Sequence, residues 1–243
     1  MDFHHSSRMY AFLEEAIRKE YRIVKTIKEN KDKSIRKVCH VKSGEYFLVR
    51  RFAGSAEGYR ALLPVKSSYL PEIFEVASEN DRVLVIEEYV PGDPLDELMQ
   101  GVTFSAKETS KIAADICKAL YILHRAGIVH RDVKPGNIRI REGSDTAVLM
   151  DFDSSRTIKT DRSQDTVLLG TAGYAAPEQY GISQTDGRAD IYALGVTMNL
   201  MLTGAHPSEK LAEGKMGRII SKCVMVHPDK RYHDVLRLME ALG

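Results

Sequence analysis

Apolar residues recur every three or four positions near the start of the chain. Tyr10, Leu13 and Ile17 fall on one face, with Met9, Phe12 and Ala16 beside them and the charges opposite. The spacing predicts an amphipathic helix over 9–20, packed on the structure that follows, with a dimer contact as the alternative. Residues 21–27, 34–41, 45–52, 70–76 and 82–90 then read as strands, with a short helix over 56–63. Pro91-Gly92 punctuates the end of this strand-rich region.

Beyond that break the period becomes helical. Ser105-Ala106-Lys107-Glu108 fits a capping box, and Ile112, Ile116, Leu120 and Leu123 line one face of a helix that ends near Gly127. Residues 147–150 predict a short buried strand. A helix begins at Arg188 and stops at Thr203-Gly204, just before Pro207, and 218–225 and 234–242 form the last helices.

Composition narrows the function classes. With 243 residues and 43% hydrophobic content, the chain can bury one good core, or one in each of two lobes. Its 35 basic and 34 acidic residues leave a net charge of +1, so nothing points to nucleic acid or an anionic membrane surface. Cys39, Cys117 and Cys223 are odd in number and far apart, which suits free thiols in a reducing cytoplasm rather than disulfides or zinc. Residues 1–8 lack the apolar core of a signal peptide. The longest apolar stretch, 191–202, is too short to span a bilayer and carries Thr197 and Asn199. The expectation is a cytoplasmic protein with no membrane segment.

The chemistry concentrates at His130-Arg131-Asp132-Val133-Lys134-Pro135-Gly136-Asn137, with Asp151-Phe152 following one short strand. Phosphoryl transfer needs little covalent help. It needs a carboxylate near the nucleophile and metal ligands near the phosphates, converging on one point. A loop whose charges merely cap neighbouring helices is the plainer reading, but three further motifs in the right order argue against it. These are Gly170-Thr171-Ala172-Gly173-Tyr174-Ala175-Ala176-Pro177-Glu178, the segment from Arg188 to Val196 containing Asp190, and His227-Pro228-Asp229-Lys230-Arg231-Tyr232.

On these residues the chain from Tyr21 onward resembles a bacterial serine/threonine kinase of the eukaryotic-like family. The resemblance implies an α+β, two-lobed kinase fold, with a small antiparallel sheet in lobe 21–90, a mainly helical lobe 91–243, and an ATP cleft between them. Residues 1–20 would be a helical extension. It further implies Asp132 as the catalytic carboxylate, aided by Lys134 and Thr171, with Asn137 and Asp151 as ligands for Mg2+. Arg131 would receive a phosphate from the activation segment, whose acceptors are Thr157, Thr160, Ser163 and Thr166. Glu178 would pair with Arg231, and Asp190 would brace the catalytic-loop backbone. Backbone groups of Glu88 and Val90 would bond the adenine edge of ATP. Lys134 and Thr171 imply serine/threonine specificity and a protein substrate, in a single-domain kinase.

The first lobe departs from that pattern. The loop 28–33 contains no glycine where the phosphate cover is expected, and Lys31 and Lys33 offer charge in a solvated turn. Arg50 stands where the family has its phosphate-binding lysine, and its planar fork is a poor geometric substitute. Glu57 is the helix carboxylate available to orient that cation. Glu87 takes the usually apolar position behind the adenine, where a buried carboxylate needs a partner; Arg50 across neighbouring strands would supply one. Asp153 replaces a hinge glycine, which should make Phe152 harder to flip. A nucleotide-binding or pseudokinase scaffold is therefore the alternative function.

Overall fold

The strand-rich stretch folds into one five-stranded antiparallel sheet. Helix α1 (Phe3–Glu20) leads into β1 (Tyr21–Glu29), β2 (Lys33–His40) and β3 (Tyr46–Ala53). The short helix α2 (Glu57–Leu62) follows, then β4 (Ile73–Glu79) and β5 (Arg82–Glu88). The strand order is β1-β2-β3-β5-β4. The computed structural model describes residues 3–157, 171–180 and 185–243. The chain divides into two compact units, residues 1–67 with 71–90 and residues 68–70 with 91–243.

Side-chain alternation along a strand sorts the first unit into two faces. Val38, Val49, Leu84 and Ile86 pack with Tyr10, Leu13 and Ile17 of α1 in one cluster. Arg51, in phase with Val49, reaches the same helix and donates to Glu14 at 3.1 Å. Leu48, Arg50 and Phe52 occupy the opposite face, where the Phe52 ring lies 5.6 Å from Tyr59 of α2. The apolar stripe of α1 is thus covered within the chain. Met9 and Phe12, grouped with that stripe by sequence, are exposed. At about 100° per residue Phe12 falls well round the helix from the buried face.

Two boundaries differ from expectation for backbone reasons. β4 starts at Ile73 rather than at residue 70, because the Tyr69 carbonyl accepts from the Leu149 amide at 3.0 Å in the second unit and Pro71 has no N–H for a ladder. The β1–β2 connection closes as a tight turn. Asn30 Oδ1 accepts from the amides of Asp32 at 3.0 Å and Lys33 at 2.8 Å. The Asn30 amide in turn donates to the Lys33 carbonyl at 2.9 Å.

The second unit is built on helices with two small sheets. It runs through β6 (Gly92–Pro94), α3 (Leu95–Leu98), α4 (Ala106–Arg125), β7 (Ile128–Val129), β8 (Ile138–Arg141), β9 (Ala147–Leu149) and β10 (Arg156–Thr157). Helices α5 (Gly187–Thr203), α6 (Gly214–Cys223) and α7 (Val235–Leu242) complete it. Strands β6, β8 and β9 form one sheet and β7 pairs with β10. The Ser105–Glu108 box caps α4 reciprocally, and Ile112, Ile116, Leu120 and Leu123 are buried as their spacing requires.

Helix α5 is buried nearly all round, so its sequence reads as a continuous apolar run rather than a stripe. Its polar members are satisfied internally. Thr197 donates to the Ala193 carbonyl at 2.9 Å, and Asn199 binds the carbonyls of Ala205 and Lys210 and the amide of Ala212. Gly195 is required by packing, since a Cβ there would lie 2.5 Å from Cys223 Cβ. Among the described residues no helix is long and apolar enough to cross a membrane. The three cysteines are free, and burial pushes the Cys117 thiol up to about 12, which marks it as a core residue rather than a nucleophile.

The α1 interface makes a direct prediction. Leu13→Ala should cost about 2–4 kcal/mol in urea unfolding, as for other buried leucines. Phe12→Ala should change stability by less than about 0.5 kcal/mol. Equal effects of the two would mean that α1 does not cover the sheet in solution.

Candidate active site

Asp190 on α5 fixes the backbone of the loop that carries Asp132. Its side chain is fully buried. Its Oδ2 accepts from the His130 amide at 3.0 Å and its Oδ1 from the Arg131 amide at 2.8 Å. His124 of α4 adds a contact from Nε2 to Oδ2 at 2.8 Å. Burial by itself would raise the Asp190 pKa. The hydrogen bond from His124, the fields of His124 and His130 and the His130 amide outweigh it and hold the carboxyl below its ordinary value.

These bonds stabilise an uncommon backbone. Arg131 has φ +69°, a left-handed conformation that costs a residue with a Cβ about 1–3 kcal/mol. Its carbonyl is held as firmly as its amide, because Gln179 Nε2 donates to it at 2.9 Å while Gln179 Oε1 accepts from the Ala176 amide at 3.0 Å. Asp190 and Gln179 therefore pin Arg131 on both sides of its α-carbon. Gln179 was not legible in the sequence. A glutamine after Glu178 reads as a surface residue, and only the short 3-10 turn over Pro177–Tyr180 buries it.

His130 links this loop to the strand that presents Asp151. Its Nδ1 accepts from the Asp132 amide at 3.3 Å and its Nε2 donates to the Met150 carbonyl at 3.1 Å. The Met150 amide bonds the Asn137 carbonyl at 2.8 Å, and the His130 ring meets buried Phe152 edge-on at 5.4 Å. Asp151 itself has φ +69°. Asp153, where a glycine was expected to provide such freedom, does not take a positive φ; the left-handed residue is Asp151.

The side chains singled out in the loop converge. Lys134 Nζ donates to Asp132 Oδ2 at 2.7 Å and to Thr171 Oγ1 at 2.5 Å. The Thr171 hydroxyl donates to Asp132 Oδ1 at 2.7 Å. Asn137 Nδ2 reaches both the Asp132 carbonyl, at 2.8 Å, and Oδ2, at 2.9 Å. Asp132 thus has one carboxylate oxygen held by an ammonium and an amide, while the other accepts from a hydroxyl.

The donor set also suits a divalent cation. With the Asn137 amide nitrogen committed to Asp132, its Oδ1 is the atom available to a metal, and Asp151 offers a carboxylate. Among the described residues no group of three His, Cys, Asp or Glu side chains could hold a metal by itself. Magnesium fits such a sparse set, since it keeps waters and binds one or two protein oxygens alongside substrate phosphates.

Glu178 and Arg231 form a buried bidentate pair, Nη1 to Oε1 at 2.6 Å and Nη2 to Oε2 at 2.8 Å. Arg231 also donates to the carbonyls of Met225, Arg188 and Val226, so most of its fork is satisfied. Of the four hydroxyl residues proposed as phosphate acceptors, Thr157 ends β10 opposite Ile128. Thr160, Ser163 and Thr166 lie outside the described residues, as does Gly170.

In the first unit, Arg50 Nε donates to Glu87 Oε1 at 2.5 Å, and both side chains are buried. Their strands pair Arg50 with Val85 and Leu48 with Glu87, so the two charges meet diagonally on one face. Glu57, the other carboxylate considered for this cation, is exposed at the first turn of α2, while its neighbour Gly58 is buried. Glu88 ends β5, with its amide on the Glu72 carbonyl at 2.8 Å, and Val90 is buried.

Asp190 carries a testable consequence. Asp190→Asn puts an N–H where a carboxylate oxygen now accepts, and should cost about 2–4 kcal/mol in urea unfolding at neutral pH. Because the folded pKa is depressed, the native carboxylate's contribution is present above its ordinary pKa and is lost as pH falls through the folded value. The gap between wild type and variant should therefore narrow in acid. A gap independent of pH would place the effect in packing instead.

Residues 15–237 match the family model described as "Protein kinase domain". Serine/threonine-protein kinase D of Synechocystis is 27% identical over 202 residues, covering 72% of this chain and 38% of that protein. Serine/threonine-protein kinase Pkn1 of Myxococcus xanthus is 35% identical over 165 residues, covering 66% of this chain and 23% of its own length. Serine/threonine-protein kinase PknB of Mycobacterium leprae is 37% identical over 126 residues, covering 51% of this chain and 20% of its own. The chain thus spans well under half the length of these relatives. With the family model covering most of its length, and the loop, the Glu178–Arg231 pair and the Asp190 brace all in place, the chain belongs to the protein kinase domain family.

Proposed function

We propose that this chain is a serine/threonine protein kinase that transfers the γ-phosphoryl group of ATP to a hydroxyl of a protein substrate. The observation that carries the reading is the Asp132–Lys134–Thr171 triangle, closed by hydrogen bonds of 2.7, 2.5 and 2.7 Å. In it Asp132 receives the proton of the substrate hydroxyl and Lys134 supplies positive charge beside the reacting oxygen. Thr171 holds the lysine and the carboxylate in register. Asn137 and Asp151 would hold Mg2+, which neutralises charge on the phosphates when bound. Residues 21–243 form the catalytic domain, with α1 as an extension, and the reducing cytoplasm is the compartment that suits three free thiols.

Arg50 is the phosphate-facing cation in this reading, and Glu87 rather than Glu57 orients it. Two features support that assignment. Glu87 is hydrogen-bonded to Arg50 where Glu57 is exposed. The Asp32 and Lys33 amides of the β1–β2 turn are already bonded to Asn30, so they offer less to a phosphate than a glycine loop would. Backbone groups of Glu88 and Val90 take the adenine edge.

The test is phosphate incorporation from labelled ATP with magnesium, into the chain itself and a generic protein acceptor. Wild type should transfer label, and Asp132→Asn should reduce transfer by about 100-fold or more. Mg·ATP should also raise the melting temperature, and Asp151→Asn should remove the magnesium dependence of that rise. A melting shift without transfer would instead indicate a nucleotide-binding scaffold. No shift at millimolar Mg·ATP would contradict both readings.

A further inference from the structure

On the α1 side of the first unit, away from the Arg50–Glu87 face, lies a cavity of about 480 Å³. That volume is within the range of small-molecule sites, roughly 300–1,000 Å³. Its lining has two parts. Tyr21 and Ile23 of β1 supply accessible apolar surface, beside Ile17 of α1, Val38 of β2 and Val49 of β3, which are buried. Arg18, Arg36 and Arg51 bring three guanidinium groups from three different elements, against one carboxylate, Glu14, among the lining residues.

The charges are not all neutralised in place. Arg51 Nε is bonded to Glu14 at 3.1 Å, and Arg36 Nη2 to Glu29 at 2.8 Å. The Arg36 Nε is buried and has no hydrogen-bond partner among the described residues. A buried guanidinium N–H with no acceptor is costly, so Arg36 gains if its side chain turns toward an anion held among the three arginines. Guanidinium forks match carboxylate and phosphate oxygens, while the apolar surface favours a hydrocarbon or ring.

We propose that this cavity is a binding site for a small amphipathic anion, a phosphate or carboxylate on an apolar body. The anionic head sits among Arg18, Arg36 and Arg51, and the body lies against Tyr21 and Ile23, the lining residues that keep accessible apolar surface. None of these residues belongs to the catalytic constellation proposed above, so the site stands or falls independently of kinase activity.

Isothermal titration calorimetry on the full chain without nucleotide tests it, using octyl phosphate below its micelle concentration. Octanoate, octylammonium and inorganic phosphate separate the contributions of charge and chain. Octyl phosphate should bind saturably at one site, inorganic phosphate at least about tenfold more weakly, and octylammonium not at all. Arg18→Gln, an exposed change on α1, and Arg36→Met should each weaken octyl phosphate by about tenfold while the melting temperature shows the chain still folded. Co-sedimentation with phosphatidylglycerol vesicles distinguishes a lipid source from a soluble one. Sedimentation lost in Arg18→Gln assigns the head group to a bilayer lipid, and octyl phosphate binding without sedimentation assigns it to a soluble anion. Octylammonium binding as well as octyl phosphate, or unchanged octyl phosphate affinity in both folded variants, would overturn the proposal.

Discussion

A single buried carboxylate organises the second unit. Asp190 takes the amides of His130 and Arg131 and the ring of His124, and so joins α4, α5 and the loop that carries Asp132. The loop needs this support because Arg131 is left-handed, a conformation a side-chain-bearing residue keeps only when its surroundings over-determine it. Charge-assisted bonds from two backbone amides, with Gln179 on the adjoining carbonyl, provide that constraint. Desolvating Asp190 is unfavourable, and the bonds it accepts outweigh the penalty, which is why its pKa falls rather than rises.

The same principle reaches outward through less conspicuous groups. His130 carries the constraint from the loop to Met150 and hence to Asp151, and Asn137 donates to both the carbonyl and Oδ2 of Asp132. Arg231 holds Glu178 by two bonds and is itself fixed by the carbonyls of Met225, Arg188 and Val226, which secures the end of the segment whose beginning supplies Thr171. Each contact is individually modest. Together they hold a carboxylate, an ammonium and a hydroxyl within hydrogen-bond reach of one another.

How much of this was legible in the sequence depended on whether the signal was local. The α4 cap and the Tyr10, Leu13 and Ile17 stripe of α1 are patterns over a few residues, and the structure places them as expected. The Arg50–Glu87 contact was legible because two departures from one pattern fell on neighbouring strands, where alternation puts them on one face. Gln179 and Asn30 were missed because short polar side chains look alike whether they face water or a backbone amide. Phe12 is apolar and lies beside the face of Tyr10, Leu13 and Ile17, but its angle round the helix places it in solvent. The start of β4 falls later than the apolar pattern suggests because the Tyr69 carbonyl accepts from the Leu149 amide and Pro71 has no N–H to give.

The first unit rests on a different bargain. A buried Arg–Glu contact gains little stability over apolar residues of similar volume, yet removing one member leaves a charge in a dry face. Such a pair is better explained by what it orients than by what it stabilises, and a guanidinium holds a fixed direction better than a lysine ammonium. In the proposed function, phosphate binding rests on Arg50 as oriented by Glu87. A double-mutant cycle in ATP affinity, with Arg50→Met, Glu87→Met and both together, tests it most directly. If Glu87 acts through Arg50, each single change weakens ATP and the double change costs no more than Arg50→Met alone. Additive losses, or unaltered affinity in Arg50→Met, would contradict it.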